Sequence, residues 1–133
     1  ETLRPMVDLF LYDYKETDPV RHRELTGQSN DTILANLHRL DAAGAAILLR
    51  CPIIPGCNLR EDHLAGIAEL TRSLVHCRGV NVMGYHRLGT SKRERLAMSP
   101  ETVGGNVAAM PDADVEAVIA RLTALGVRNV SRP

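Results

Sequence analysis

Three apolar, β-prone runs alternate with amphipathic helical stretches over the first 85 residues, and the connections between them are short. Residues 7–15, Val-Asp-Leu-Phe-Leu-Tyr-Asp-Tyr-Lys, are nearly all apolar until their end, the pattern of a parallel strand buried on both faces and internal to a sheet. A turn around Thr17 to Pro19 and a short polar helical stretch to Leu25 follow. Gly27-Gln28-Ser29-Asn30 then supplies a cap for a helix from about Asp31, in which Ile33, Leu34, Leu37 and Leu40 recur at helical spacing until Gly44 stops it. A second strand is expected at 45–54, ending in Pro55-Gly56. A second helix at 61–75 carries Leu64, Ile67, Leu70 or Thr71, and Leu74 on one face, and a third strand occupies 79–85. Strand, helix, strand, helix, strand with short links reads as consecutive right-handed βαβ units, in a parallel sheet or part of a barrel.

Beyond His86 the character changes. Residues 87–95 hold Arg87, Lys92, Arg93 and Arg95, and 97–110 is expected to be a long, mobile connection, Gly-rich and aperiodic. Asp112 and Asp114 open a helix at 111–126 with Val115, Val118, Ile119, Leu122 and Leu125 on one side and Gly126 as its stop. Residues 127–130 have room for a last short strand. The expected fold is therefore α/β: a single domain over 1–133, forming a partial (βα) barrel fragment of about three parallel strands with flanking helices. Its core lies at 7–96, and the C-terminal helix and short strand are added to it.

Composition narrows the function classes. Sixteen basic and sixteen acidic residues give a formal net charge of zero, so no global field would draw in a polyanion, and nucleic acid is a poor partner for this chain. The longest apolar runs fall far short of the roughly 18–20 residues that cross a bilayer, and neither a transmembrane helix nor a signal peptide is expected. Cys51, Cys57 and Cys77 are an odd number without CxxC spacing, which fits a reducing, cytoplasmic compartment. The chain begins at Glu1 without Met and is expected to be a processed or truncated piece.

Side chains alternate faces along a strand, so Val7, Leu9, Leu11, Asp13 and Lys15 share one side of the first strand. Ala46, Leu48, Arg50 and Pro52 share a side of the second, and Val80, Val82, Gly84 and His86 a side of the third. Each set ends in polar residues at its carboxyl end, where parallel α/β sheets and barrels bind ligands. Asp13, Lys15, Arg50 and His86 are thus expected to converge on one concave rim. Blander readings stand beside this: Asp13 with Lys15 as a structural ion pair, Asp13 as the partner of Arg50, and His86 bonded to a neighbouring carbonyl. Cys51 falls on the face opposite Arg50 and reads as a packed hydrophobe, while Cys57 has no base to activate it. His22, His38 and His63 sit among polar helix residues and read as solvated; Gly104-Gly105 reads as a linker.

Asp13-Tyr14-Lys15 closing one strand, Leu49-Arg50-Cys51-Pro52-Ile53-Ile54-Pro55-Gly56 closing the next, and Gly84-Tyr85-His86-Arg87-Leu88-Gly89-Thr90-Ser91-Lys92 after the third together resemble the glycyl radical enzyme activating enzymes. The stretch from His22 to Asn30 looks like that family's segment after its DxK strand, and the resemblance spans about residues 7–96. It implies the C-terminal half of a radical S-adenosylmethionine activase built on a partial (βα)6 barrel. Such enzymes hold a 4Fe-4S cluster through a CxxxCxxC loop, cleave S-adenosylmethionine reductively, and abstract hydrogen from a glycine of a partner glycyl radical enzyme such as pyruvate formate-lyase.

That loop is absent here, so the chain alone is expected to be inactive, with no iron-sulfur ligands and no bound cofactor. By resemblance, Asp13 and Lys15 match the DxK pair at the S-adenosylmethionine site, Asp13 also being associated with a monovalent cation. Arg50 and His86 match residues contacting the cofactor's polar groups, and Pro52 and Met83 would line its apolar parts; Gly84 stands where the family often has Pro. Two other readings compete. One makes Lys15 a Schiff-base lysine in an aldolase-like barrel, and the other makes the chain a non-catalytic protein-binding module that uses Arg87 to Arg95. Self-association through the strand at 7–15, or cover of its edge by the N-terminal residues or the loop at 97–110, is also expected, because a fragment leaves that strand's edge without its neighbour.

Overall fold

The computed structural model describes residues 4–85 and 109–133. Four strands form one parallel sheet in the order β1 (Phe10–Asp13), β2 (Ile47–Ile53), β3 (Cys77–Gly84) and β4 (Val130–Ser131). Between them run α1 (Pro19–Thr26), α2 (Asp31–Ala42), α3 (Glu61–Ser73) and, before β4, α4 (Asp112–Ala124); a short 3-10 turn at Arg4–Met6 precedes β1. This is the expected α/β partial barrel, with the C-terminal helix and the short last strand in place.

Chemistry at the ends explains the helices. Asp18 caps α1 by accepting from the amides of Val20 and Arg21, Pro19 takes the first helical position where no N–H is needed, and Gly27 leaves the helix at φ +80°. The cap expected for α2 takes a different form. Asn30 occupies the N-cap position and its carbonyl accepts from the Leu34 amide, but its side chain makes no cap bond, because its amide donates to the carbonyls of Glu16 and Thr17 at 3.1 and 3.0 Å. Glu61 and Asp62 place negative charge in the first turn of α3, where the helix dipole favours it.

The core forms between α2, α3 and α4 and one face of the sheet. Ile47, Leu49, Cys51 and Ile53 of β2 and Val80 and Val82 of β3 are fully buried there. They belong to one apolar cluster with Leu37 of α2, Leu64 and Ile67 of α3, and Val115, Val118 and Leu122 of α4. Of the periodic residues foreseen for 61–75 and 111–126, Leu64, Ile67, Leu70, Leu74, Val115, Val118 and Leu122 are buried and Ile119 and Leu125 partly so, because helical spacing decides which side chains share a face.

Two strand expectations are corrected. The strand foreseen at 7–15 is ordered as β only over Phe10–Asp13, and it lies at the sheet edge, not inside it. Leu9 and Leu11 are accordingly 40% and 56% exposed, because no element among the described residues covers their face. In β3 the expected grouping of Val80, Val82 and Gly84 with Arg50 is wrong. Val80 and Val82 pair with Leu49 and Cys51 on the helix side, whereas Asn81 and Met83 pair with Arg50 and Pro52. Alternation says which residues share a face; only pairing with the neighbouring strand says which face, and a register irregularity between Ile47 and Leu48 intervenes here.

Candidate functional site

The carboxyl ends of β1 and β2 bring three of the expected residues together. Asp13 lies directly opposite Arg50 in the β1–β2 register, and Arg50 Nε stands 3.7 Å from Asp13 Oδ1. With side chains 53% and 34% exposed, this pair contributes little to stability and leaves both groups accessible. Lys15, exposed two residues further on, joins them around a depression of about 620 Å³. Leu11, Asp13, Lys15 and Arg50 border that depression, and so do Tyr12, His22, Thr26 and Ile33 from β1 and the two helices that follow. It thus offers one carboxylate, one ammonium and one guanidinium, a donor set suited to a zwitterionic ligand.

The other expected residues are elsewhere. Pro52 and Met83 are register neighbours on Arg50's face, but Met83 borders a separate hollow of about 130 Å³ beside Val82, Gly84 and Val115. His86, the basic cluster Arg87 to Arg95, and Gly104-Gly105 lie outside the described residues. Cys51 is fully buried and its thiol pKa is raised by that burial, while Cys57, partly buried, is also shifted up, first by burial and then by Glu16. Among the described residues no group of three or more His, Cys, Asp or Glu could hold a metal ion, so these residues do not fit an iron-sulfur cluster. No helix among them is long and apolar enough to cross a membrane.

The residues that follow Lys15 in the chain enter a polar scaffold that residue patterns alone do not show. Glu16 is fully buried, and its carboxylate accepts from the amides of Thr17 and Asp18 at 2.8 and 3.1 Å and from both terminal nitrogens of Arg60 at 3.0 and 3.1 Å. Burial alone would raise its pKa, but the Arg60 hydrogen bonds, the Asp18 amide and nearby His63 hold it below the usual carboxylate range. Arg60 is held firmly protonated by Glu16 and Asp62.

His63 is fully buried, not solvated as its helix context suggested, because it falls on the face of α3 that carries Leu64 and Ile67 into the core. Its Nδ1 accepts from the Thr17 amide at 3.2 Å, its ring stacks on Tyr14 with centroids 6.5 Å apart, and burial pushes its pKa down against the opposing pull of Glu16. The Tyr14 phenol, also buried, is pushed up to about 12, by burial first.

His22 likewise proves buried: its Nδ1 lies 2.6 Å from the Gln28 carbonyl and must donate to it, which fixes the ring. His38 is exposed, as read. The Glu following Asp-Tyr-Lys and the Asn following Pro-Gly-Cys were the available signals for this scaffold, since both sit in loops at strand carboxyl ends.

No protein-family model matches the chain. Curated relatives do. A choline trimethylamine-lyase activating enzyme of Oleidesulfovibrio alaskensis is 39% identical over 115 residues, covering 84% of this chain and 36% of its own length. The chain belongs to the glycyl radical enzyme activating enzymes. An indoleacetate decarboxylase activating enzyme of Tractidigestivibacter scatoligenes is 39% identical over 97 residues, covering 72% of this chain and 30% of its own. A pyruvate formate-lyase-activating enzyme of Streptococcus mutans is 33% identical over 98 residues, covering 74% and 37%. The chain therefore spans about a third of the length of the curated relatives it matches. Its fold matches the crystal structure of a domain of a pyruvate-formate lyase-activating enzyme from Bacteroides vulgatus, with a TM-score of 0.73 at 23% identity over 96% of this chain and 70% of that one.

Proposed function

We propose that this chain is the S-adenosylmethionine-binding C-terminal part of a radical S-adenosylmethionine activase that generates the glycyl radical on a partner glycyl radical enzyme. The observation that carries the reading is the meeting of Asp13, Lys15 and Arg50 around one depression at the carboxyl ends of two parallel strands. In this role Arg50 offers its fork to the ligand's carboxylate, Lys15 donates to ribose or carboxylate oxygens, and Asp13 accepts from a hydroxyl or holds a monovalent cation. Pro52 and Met83 supply apolar surface further along the same face, and His86 completes the polar contacts. Asp13, Lys15 and Arg50 would hold S-adenosylmethionine, which when bound would supply the hydrogen-abstracting chemistry. The chain's own residues bind and orient it, and the 133-residue chain by itself has no turnover.

Calorimetric titration of the chain with S-adenosylmethionine tests this. The sequence alone predicts no bound cofactor for this chain; a site made by Asp13, Lys15 and Arg50 instead requires wild type to take up added S-adenosylmethionine measurably, and Asp13→Asn, Lys15→Met and Arg50→Met each to weaken that binding on the order of tenfold, the loss of one charge-assisted hydrogen bond. Equal affinity in all four proteins would exclude the assignment, as would borohydride trapping of a carbonyl compound on Lys15, which belongs to aldolase chemistry.

A further inference from the structure

The strand ends that present Lys15 and Arg50 are tied together by one side chain. Asn58, in the loop between β2 and α3, is 2% exposed and uses its whole amide. Its Nδ2 donates to the Lys15 carbonyl and to the Pro52 carbonyl, both at 2.8 Å, while its Oδ1 accepts from the Ile54 amide at 2.7 Å. One planar group therefore closes the end of β1 onto the end of β2, two residues past Arg50. β1 ends at Asp13, and its last backbone bond to β2 is the Tyr14 amide to the Arg50 carbonyl at 2.9 Å. From Lys15 on, no ladder holds the chain. Asn58 takes the Lys15 carbonyl, Asn30 those of Glu16 and Thr17, and Arg60 the Glu16 carboxylate.

We infer that Asn58 is a positioning residue, setting the placement of Lys15 relative to Arg50 and so the affinity of the site they share. The inference rests on the cofactor-site reading above for its affinity arm only. Asn58→Asp keeps shape and the acceptor for Ile54 but turns a carboxylate oxygen toward two carbonyl oxygens, removing both donated bonds and adding repulsion. The Lys15–Asp18 segment is then released at its first anchor.

The test uses the 133-residue chain as wild type, as Asn58→Asp, and as Val118→Ala. The last is a core truncation in α4 that lowers stability without touching the site. Amide hydrogen exchange at Thr17 and Asp18, whose N–H groups bond Glu16, reads the order of the segment. Titration with S-adenosylhomocysteine, a stable analogue, reads the affinity.

Asn58→Asp is expected to speed exchange at these two amides on the order of tenfold or more relative to Val118→Ala, and to weaken the analogue on the order of tenfold while Val118→Ala does not. Exchange accelerated equally in both variants would mean that Asn58 contributes only to global stability and would overturn the inference. So would accelerated exchange with unchanged affinity, which would uncouple the segment's order from the site. If wild type fails to bind the analogue, the cofactor-site reading fails, and the exchange comparison alone still decides whether Asn58 holds the segment.

Discussion

Glu16 and Arg60 form a bidentate ion pair in which the carboxylate is entirely removed from water. Removing one partner strands the other charge, so Arg60→Ala is expected to lower unfolding stability by roughly 3–5 kcal/mol, several times the effect of breaking the exposed Asp13–Arg50 pair. Urea denaturation of Arg60→Ala beside Arg50→Ala checks the ranking, and equal losses would contradict it. His63 gives a pH signature. Its folded pKa lies below its ordinary value, first through burial, so the unfolded chain takes up a proton where the native chain does not. Stability is therefore complete above the unfolded histidine's pKa of about 6.5 and declines as pH falls toward the lower folded value. Glu16 and Asp41, both depressed, extend the decline further into acid, their contributions present above ordinary carboxylate pKa values and lost as pH falls through the folded ones. Denaturant midpoints are expected to drop between pH 7 and pH 5, with a shallower slope in His63→Leu; an unchanged slope would remove His63 as the cause.

Among the elements, α3 depends on a glycine for its close approach to the loop after β1. A methyl group at Gly66 would lie 2.6 Å from Thr17 Cγ2 and 2.9 Å from Thr17 Cβ. Thr17 cannot easily yield, because its amide bonds Glu16 and His63. In an exposed helix Gly→Ala would gain about 1 kcal/mol of propensity, but here overlap with a held side chain outweighs it. Gly66→Ala is expected to destabilise by roughly 1–3 kcal/mol, partly recovered by adding Thr17→Ser, which deletes the nearer carbon. A thermal scan showing Gly66→Ala more stable than wild type would reverse the sign. The helices themselves were legible from spacing, since Val115, Val118 and Leu122, or Leu64 and Ile67, need only a 3.6-residue period to share a face. The facing of β3 was not, because Val80 and Val82 show which residues alternate together but carry no mark of how the strand registers on β2.

At the scale of the whole molecule, β1 is the edge strand of the sheet among the described residues. β1 presents the outward backbone groups of an apolar, proline-free strand beside the exposed side chains of Leu9 and Leu11. Such an edge is a template for pairing, so the chain is expected to self-associate in a concentration-dependent way, and Leu11→Lys to restore the monomer by placing a charge on that face. Sedimentation velocity over a hundredfold dilution series decides it; a monomer at every concentration would refute the expectation. Apolar runs of strand length alternating with amphipathic helices were enough, by themselves, to determine a parallel α/β architecture, because local period and the handedness of βαβ crossovers leave few other folds. Asp13, Lys15 and Arg50 were legible too, since parallel strands gather their carboxyl ends on one rim. Tertiary structure alone decided the rest. Asn30, Asn58, Arg60 and His63 come from loops and a helix distant in sequence from Lys15 to Thr17, and their hydrogen bonds exist only once the chain has brought them together. A buried polar group looks the same in sequence as a solvated one, and only packing determines whether water or another part of the chain becomes its partner.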